Sequence, residues 1–123
     1  MEFDSLSNKV IGAAIEVHRT LGPGLLESVY EQAMAYEISA LGLQVQVQLP
    51  LPVSYKTIKL DCGFRLDLQV EKQLIVEIKS VEALAPIHDA QLLTYLKITR
   101  LKTGLLINFN VPLLKQGIKR IVL

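Results

Sequence analysis

Phe64-Arg65-Leu66-Asp67-Leu68-Gln69-Val70-Glu71-Lys72-Gln73-Leu74-Ile75-Val76-Glu77-Ile78-Lys79 reads as two strands joined by a short loop. Apolar side chains occupy the even positions Phe64, Leu66, Leu68, Val70, Leu74, Val76 and Ile78. Polar ones occupy the odd positions Arg65, Asp67, Gln69, Glu77 and Lys79, with Ile75 the one exception. Successive side chains of a strand point to opposite faces, so one face is apolar and the other polar. A two-residue turn at Glu71-Lys72 pairs Val70 with Gln73 and Asp67 with Val76, which sets apolar residues against polar ones. A three-residue loop, Glu71-Lys72-Gln73, pairs Val70 with Leu74 and Asp67 with Glu77. A slip of one residue turns every side chain to the other face, so burial selects the second register.

Directly opposed residues hold their Cβ atoms about 5 Å apart, and like charges so placed are destabilising. A hard divalent cation offsets that cost. Mg²⁺, or Mn²⁺ in its place, prefers oxygen ligands, typically one or two carboxylates completed by waters and phosphate. Lys79 lies two residues on, on the same face, where its ammonium can serve the metal's surroundings, an attacking water or a phosphate oxygen. The spacing Asp-x9-Glu-x-Lys is loose, however. A solvated hairpin face, with Lys79 as ion-pair partner of Glu77, accounts for the same letters.

Outward from this hairpin the elements are legible. Asp4, Ser5 and Ser7 can cap a first helix whose apolar stripe is Leu6, Val10, Ala14, Val17 and Leu21. Gly22-Pro23-Gly24 ends it. A second helix follows over residues 25–41, with Leu26, Val29, Ala33, Met34, Ile38 and Leu41 apolar, and Gly42 closes it. Val45, Val47 and Leu49 then alternate with Gln44, Gln46 and Gln48 as in a half-buried strand, and Pro50 and Pro52 confine the chain to an edge or bend. Residues 53–60 form a short hairpin. Pro86 starts a third helix that runs to about residue 99, with Leu92, Leu93 and Leu96 toward the sheet. Residues 103–109 make a further strand, and residues 117–122 a last one. The expected class is mixed α/β, a central mixed sheet flanked by helices.

At 123 residues the chain is the size of one domain. Half of it is hydrophobic and 20% charged, which excludes disorder. No apolar run reaches the roughly 18 residues of a membrane helix, so no membrane partner is expected. Cys62 stands alone, without a disulfide partner or a Cys-based zinc site, and the N-terminus has no signal-peptide pattern. A cytoplasmic location is the expectation. The net charge of +1 is not that of a protein that grips nucleic acid by charge alone. Up to Tyr55 only Lys9 and Arg19 face six acids, whereas beyond it eleven basic residues face six acids. Either a solvated surface or a basic rim around one site fits. The mean hydropathy of +0.36 leaves apolar surface to spare. A homodimer is expected, with Ile118, Ile121, Val122 and Leu123 in its interface and Lys119-Arg120 at the rim.

Both flanking helices carry candidates. Glu27 lies near the start of the second helix, where the dipole favours a carboxylate, with Tyr30 and Glu31 three and four residues on. In the third, His88, Gln91 and Tyr95 share a helical face and are useful donors to phosphate oxygens, though such a face can equally be merely solvated. His88 has no second His or Cys to complete a metal site. His18 reads as a residue of a helix C-terminus.

Gly24-Leu25-Leu26-Glu27-Ser28-Val29-Tyr30 is a literal GxxExxY. From about residue 10 to 123 the chain resembles the small bacterial and archaeal GxxExxY protein family, placed in the PD-(D/E)XK nuclease superfamily. The stretch from Phe64 to Lys79, the segment from Pro86 to Lys97 and Gly104-Leu105-Leu106-Ile107-Asn108-Phe109 look like its other hallmarks. The resemblance implies a restriction-endonuclease-like core and a nuclease hydrolysing phosphodiester bonds with Mg²⁺ (or Mn²⁺), on DNA rather than RNA. It implies that Asp67 and Glu77 are metal carboxylates and that Glu27 binds or orients the metal. Lys79 would be the catalytic lysine, and Gln91 and Tyr95 resemble the Gln-x-x-x-Tyr helix of the helicase-associated exonuclease branch. His88, Tyr30 and Arg65 are further, weaker candidates for substrate contact. Phe64-Arg65-Leu66 precedes Asp67 where the superfamily's name has a proline. The competing expectation is a nuclease-fold binding or assembly module with little or no turnover. A fold by itself does not carry an activity.

Overall fold

The loop Glu71-Lys72-Gln73 sets the register that burial selects: Leu68 pairs with Val76, Gln69 with Ile75 and Val70 with Leu74. These pairs belong to β4 (Arg65–Val70) and β5 (Leu74–Lys79) of a computed structural model that describes residues 3–61 and 64–123. Met1, Glu2, Cys62 and Gly63 lie outside the described residues, and with them the lone cysteine and the first residues of the N-terminus. The other elements are α1 (Ser5–Leu21), α2 (Glu27–Ala40), β1 (Val45–Pro50), β2 (Val53–Tyr55), β3 (Ile58–Leu60), α3 (Pro86–Thr99), β6 (Thr103–Asn108) and β7 (Ile118–Val122). A single 3-10 turn, Leu114–Gly117, precedes β7.

Five strands form one sheet in the order β1-β4-β5-β6-β7, and β2 and β3 pair only with each other. The pairings are antiparallel except β5 with β6, which are parallel and joined through α3. This is the mixed α/β architecture expected. One face of the sheet, with Leu68, Val70, Val76, Ile78, Leu105 and Ile107, packs on α1 and α2. The other, with Ile75 and Leu106, packs on Leu92, Tyr95 and Leu96 of α3. Burial of this kind contributes about 25 cal/mol per Å² of apolar surface, so the two cores fix the sheet between its helices.

Asp4 caps α1 by accepting from the Ser7 backbone at 3.0 Å and from the Ser7 hydroxyl at 2.7 Å. The buried stripe of α2 is not the one its apolar letters suggest. Tyr30, Met34 and Ile38 are buried, whereas Leu26, Val29 and Leu41 are exposed. Tyr30 decides the face: its ring stacks on Phe109 with centroids 4.5 Å apart. His18, in the last turn of α1, is bonded to the Val111 carbonyl at 2.7 Å. Leu93, expected on the sheet, is only half-buried.

The C-terminal strand also departs from expectation. β7 is an edge strand whose Ile118 and Ile121 pack on the two cores, leaving Val122 and Leu123 exposed. Lys119 and Arg120 are not a free rim, because they form ion pairs with Asp89 at 2.7 Å and Asp4 at 3.0 Å. Alternation alone does not show that tertiary partners claim half of these side chains. No helix among the described residues is long and apolar enough to cross a membrane.

Candidate active site

The β4–β5 ladder stops at Leu68 and Val76, one pair short of the two acids. Continuing its register places Asp67 opposite Glu77, and there the side chains take over from the backbone. The Ile78 amide donates to Asp67 Oδ2 at 2.8 Å, and the Asp67 amide donates to Glu77 Oε1 at 3.3 Å. Each carboxylate fills a gap between the parting strands. The β1–β4 pairing is interrupted at the same level. Val47 pairs with Leu68 and Leu49 with Leu66, while Gln48, opposite Asp67, has φ 52°. Strict alternation breaks here as well: Leu66, expected on the face of Leu68, packs instead with Ile75, Leu92 and Leu106 in the α3 core.

Glu77 is only 6% exposed, far more buried than a solvated hairpin face allows. Burial first, and then the neighbouring Asp67 charge, push its carboxyl up to about 8. Burial raises Asp67 too, against the pull of the Ile78 amide. Both carboxyls are thus raised, Glu77 by the Asp67 charge as well as by burial. Lys79 is half-buried, and its charge favours the ionised form of both acids. It is not the ion-pair partner of Glu77: among the described residues the ion pairs are Arg19 with Glu16, Lys119 with Asp89 and Arg120 with Asp4.

From α2, Glu27 Oε2 accepts from the Ser80 amide at 3.2 Å, and the Ser80 hydroxyl donates to the Leu25 carbonyl at 2.6 Å. The residue after Lys79 thus ties the end of β5 to the start of α2. Glu27 lies near enough for its charge to raise Asp67. Glu31 and a residue absent from the candidates, Gln48, complete this side. Gln48 Nε2 donates to Glu31 Oε2 at 2.7 Å and approaches Asp67 Oδ1 at 3.4 Å. Burial and the charges of Asp67 and Glu27 raise the Glu31 carboxyl, against the Gln48 bond. Glu31 was visible as the i+4 neighbour of Glu27. Gln48 becomes visible only once β1 is known to pair with β4.

From α3, Tyr95 reaches the acids from beneath. It is buried in the second core with its ring edge-on to Phe64, 4.9 Å between centroids. Burial, then Glu77 and Asp67, raise its phenol well above the usual value, and Gln91 sits beside the hydroxyl. The face shared by His88, Gln91 and Tyr95 is therefore not a uniformly solvated one. His88 is held in place as a cap, its Nδ1 accepting from the Ala85 amide at 3.0 Å. Arg65 is exposed at the end of β4, where it donates to the Gln48 carbonyl at 3.2 Å.

Tyr30 must be corrected. It is fully buried, its hydroxyl donating to the Gly22 carbonyl at 2.6 Å and accepting from the Leu25 amide at 3.1 Å, so no substrate can touch it. The GxxExxY letters thus have three separate jobs: Gly24 takes φ 95°, Glu27 faces Ser80, and Tyr30 locks the turn between them. Tyr30→Phe takes a partner from the half-buried Gly22 carbonyl and from the Leu25 amide. It will lower stability by about 0.5–1.5 kcal/mol in urea unfolding, with the metal response retained.

A preassembled cage of three acids is absent: among the described residues no three His, Cys, Asp or Glu side chains gather closely enough to hold a metal. Glu27 therefore does not join Asp67 and Glu77 as a third ligand in this arrangement, its carboxylate being engaged by Ser80. Two adjacent carboxylates do fit a hard cation that keeps waters or phosphate in its remaining positions. A family model described as the PD-(D/E)XK nuclease superfamily matches residues 4–121. No curated protein and no solved structure matches the chain significantly.

Proposed function

Since the chain belongs to the PD-(D/E)XK nuclease superfamily, we propose that it is a divalent-metal-dependent nuclease, hydrolysing phosphodiester bonds of DNA in preference to RNA. Within that superfamily we assign it to the GxxExxY proteins, a reading supported by the Gly24–Tyr30 letters. The observation that carries this reading is the pair of half-buried Asp67 and buried Glu77, held side by side at a break in the sheet with Lys79 beside it. A structural ion pair does not explain two adjacent carboxyls that are both raised by burial.

Asp67 and Glu77 would hold Mg²⁺ or Mn²⁺, which when bound neutralises phosphate charge and favours ionisation of a nearby water. Lys79 presents its ammonium to the phosphate or the attacking water. Glu27, fixed through Ser80, and Glu31, fixed through Gln48, keep the approach to the pair polar and oriented. Tyr95 and Gln91 close the site from α3 and present donors to phosphate oxygens. A cytoplasmic two-fold dimer completes the proposal, built on the open β7 edge where Val122 and Leu123 are exposed.

Incubating the purified protein with end-labelled single- and double-stranded DNA and with RNA tests this reading. Products are expected with Mg²⁺ or Mn²⁺, none with EDTA, and faster cleavage of DNA. Binding without any cleavage in either metal would assign the chain to the nuclease-fold binding modules instead.

A further inference from the structure

The hairpin between β1 and β4 does nothing for either core. β2 and β3 pair only with each other, and every residue from 54 to 61 is exposed. A two-residue turn, Lys56-Thr57, joins the paired Tyr55 and Ile58. Tight hairpin turns of this length favour Gly, Asn or Asp at positive φ. Lys56 nevertheless holds φ 57° there. Strain of this kind, retained at a lysine, is a pointer to function.

Beside the lysine stands an aromatic ring. Tyr55 is 57% exposed, with the Lys56 ammonium 5.5 Å from its centroid. Lys59 follows on β3 and lines one open cleft together with Arg65 of β4 and one acid, Asp61. Arg65 bonds to Gln48, which approaches Asp67. The base of the hairpin is tied to the same region, since the Leu51 amide donates to the Phe64 carbonyl at 2.8 Å and Phe64 packs on Tyr95. Cations therefore stand at the tip, on β3 and at the start of β4, and the last of them, Arg65, is linked through Gln48 to the acidic pair. Among the described residues none of Lys56, Lys59 and Arg65 is in an ion pair.

Unpaired cations interleaved with an exposed ring match a single nucleic-acid strand, whose phosphates take the cations and whose bases stack. A duplex keeps its bases stacked on one another and leaves Tyr55 unused. Resting on the nuclease reading above, we infer that the β2–β3 hairpin grips the unpaired strand flanking the cleaved bond. Lys56 and Lys59 hold its phosphates, and Tyr55 stacks on a base.

The test is binding of a fluorescent single-stranded DNA oligonucleotide and of its duplex to the full chain, with Ca²⁺ replacing Mg²⁺, across a salt series. Lys56→Gly relieves the turn, so it keeps the fold; with Lys59→Gln it will lower the slope of log K against log salt by about 0.7 per lysine. Tyr55→Ala will weaken single-strand binding about tenfold with duplex binding unchanged, and Tyr55→Phe will restore it. If the wild type binds and cleaves while the variants keep its affinity and slope, the hairpin inference is overturned and the nuclease reading stands. If the wild type neither binds nor cleaves, both fall. Equal losses for single strand and duplex overturn the stacking of Tyr55. Variants that turn a dimer into a monomer without changing affinity make the hairpin an interface between copies, which also overturns it.

Discussion

Glu77→Gln will make the metal-free protein more stable at alkaline pH and abolish its activity. In the folded chain burial and Asp67 raise this carboxyl from its ordinary 4.5 to about 8. The folded chain therefore keeps a proton that the unfolded chain has already released. The stability this proton provides is fully present below pH 4.5 and is lost as pH rises through about 8. The loss is on the order of 5 kcal/mol for the wild type. A glutamine cannot ionise, and its carbonyl can still accept from the Asp67 amide. Denaturant unfolding in EDTA should show the two proteins nearly equal at pH 5 and the variant well ahead at pH 9. Parallel pH profiles would show that Glu77 ionises freely in the fold and that the pair is not strained.

Lys79→Ala should lower the single-turnover cleavage rate about a hundredfold to a thousandfold at saturating Mg²⁺, the cost of removing one charged donor aimed at a developing charge. The stabilisation by metal should survive, because the ammonium is not a ligand. Lys79→Arg should restore little, since a planar fork does not replace a compact point charge. A rate within threefold of the wild type would remove Lys79 from the chemistry and leave it a solubilising residue between two acids.

The register of β4 and β5 was legible because parity and burial left one acceptable loop length between Val70 and Leu74. The mixed sheet followed from the order of elements. What the periods could not show is the break at Asp67. It depends on Gln48 lying opposite, and nothing in the letters of β1 announces that pairing. Nor does alternation foresee that Leu66 joins the α3 core. The two tyrosines were hard for a different reason. A Tyr is a large apolar ring with a polar tip, and its place on a helical face does not say which end is used. Tyr30 buries both ends in the fold, whereas Tyr95 buries its ring and brings its hydroxyl near the acids. The helix α2 is apolar on more than one side, so its stripe could not choose between Leu26 and Tyr30. Phe109, just past the end of β6 and in the same core, makes that choice.

The central claim is that Asp67 and Glu77 form a divalent-metal site, and a thermal melt with and without Mg²⁺ at pH 8 tests it most directly. A cation at ten times its dissociation constant stabilises the fold by about 1.4 kcal/mol. For a chain of this size that raises the wild-type midpoint by about 5 °C. Asp67→Asn should show no such rise, because one neutral amide leaves a single carboxylate where the cation needs two. An equal rise in both proteins would mean that the metal binds elsewhere, and that the paired acids are not a metal site.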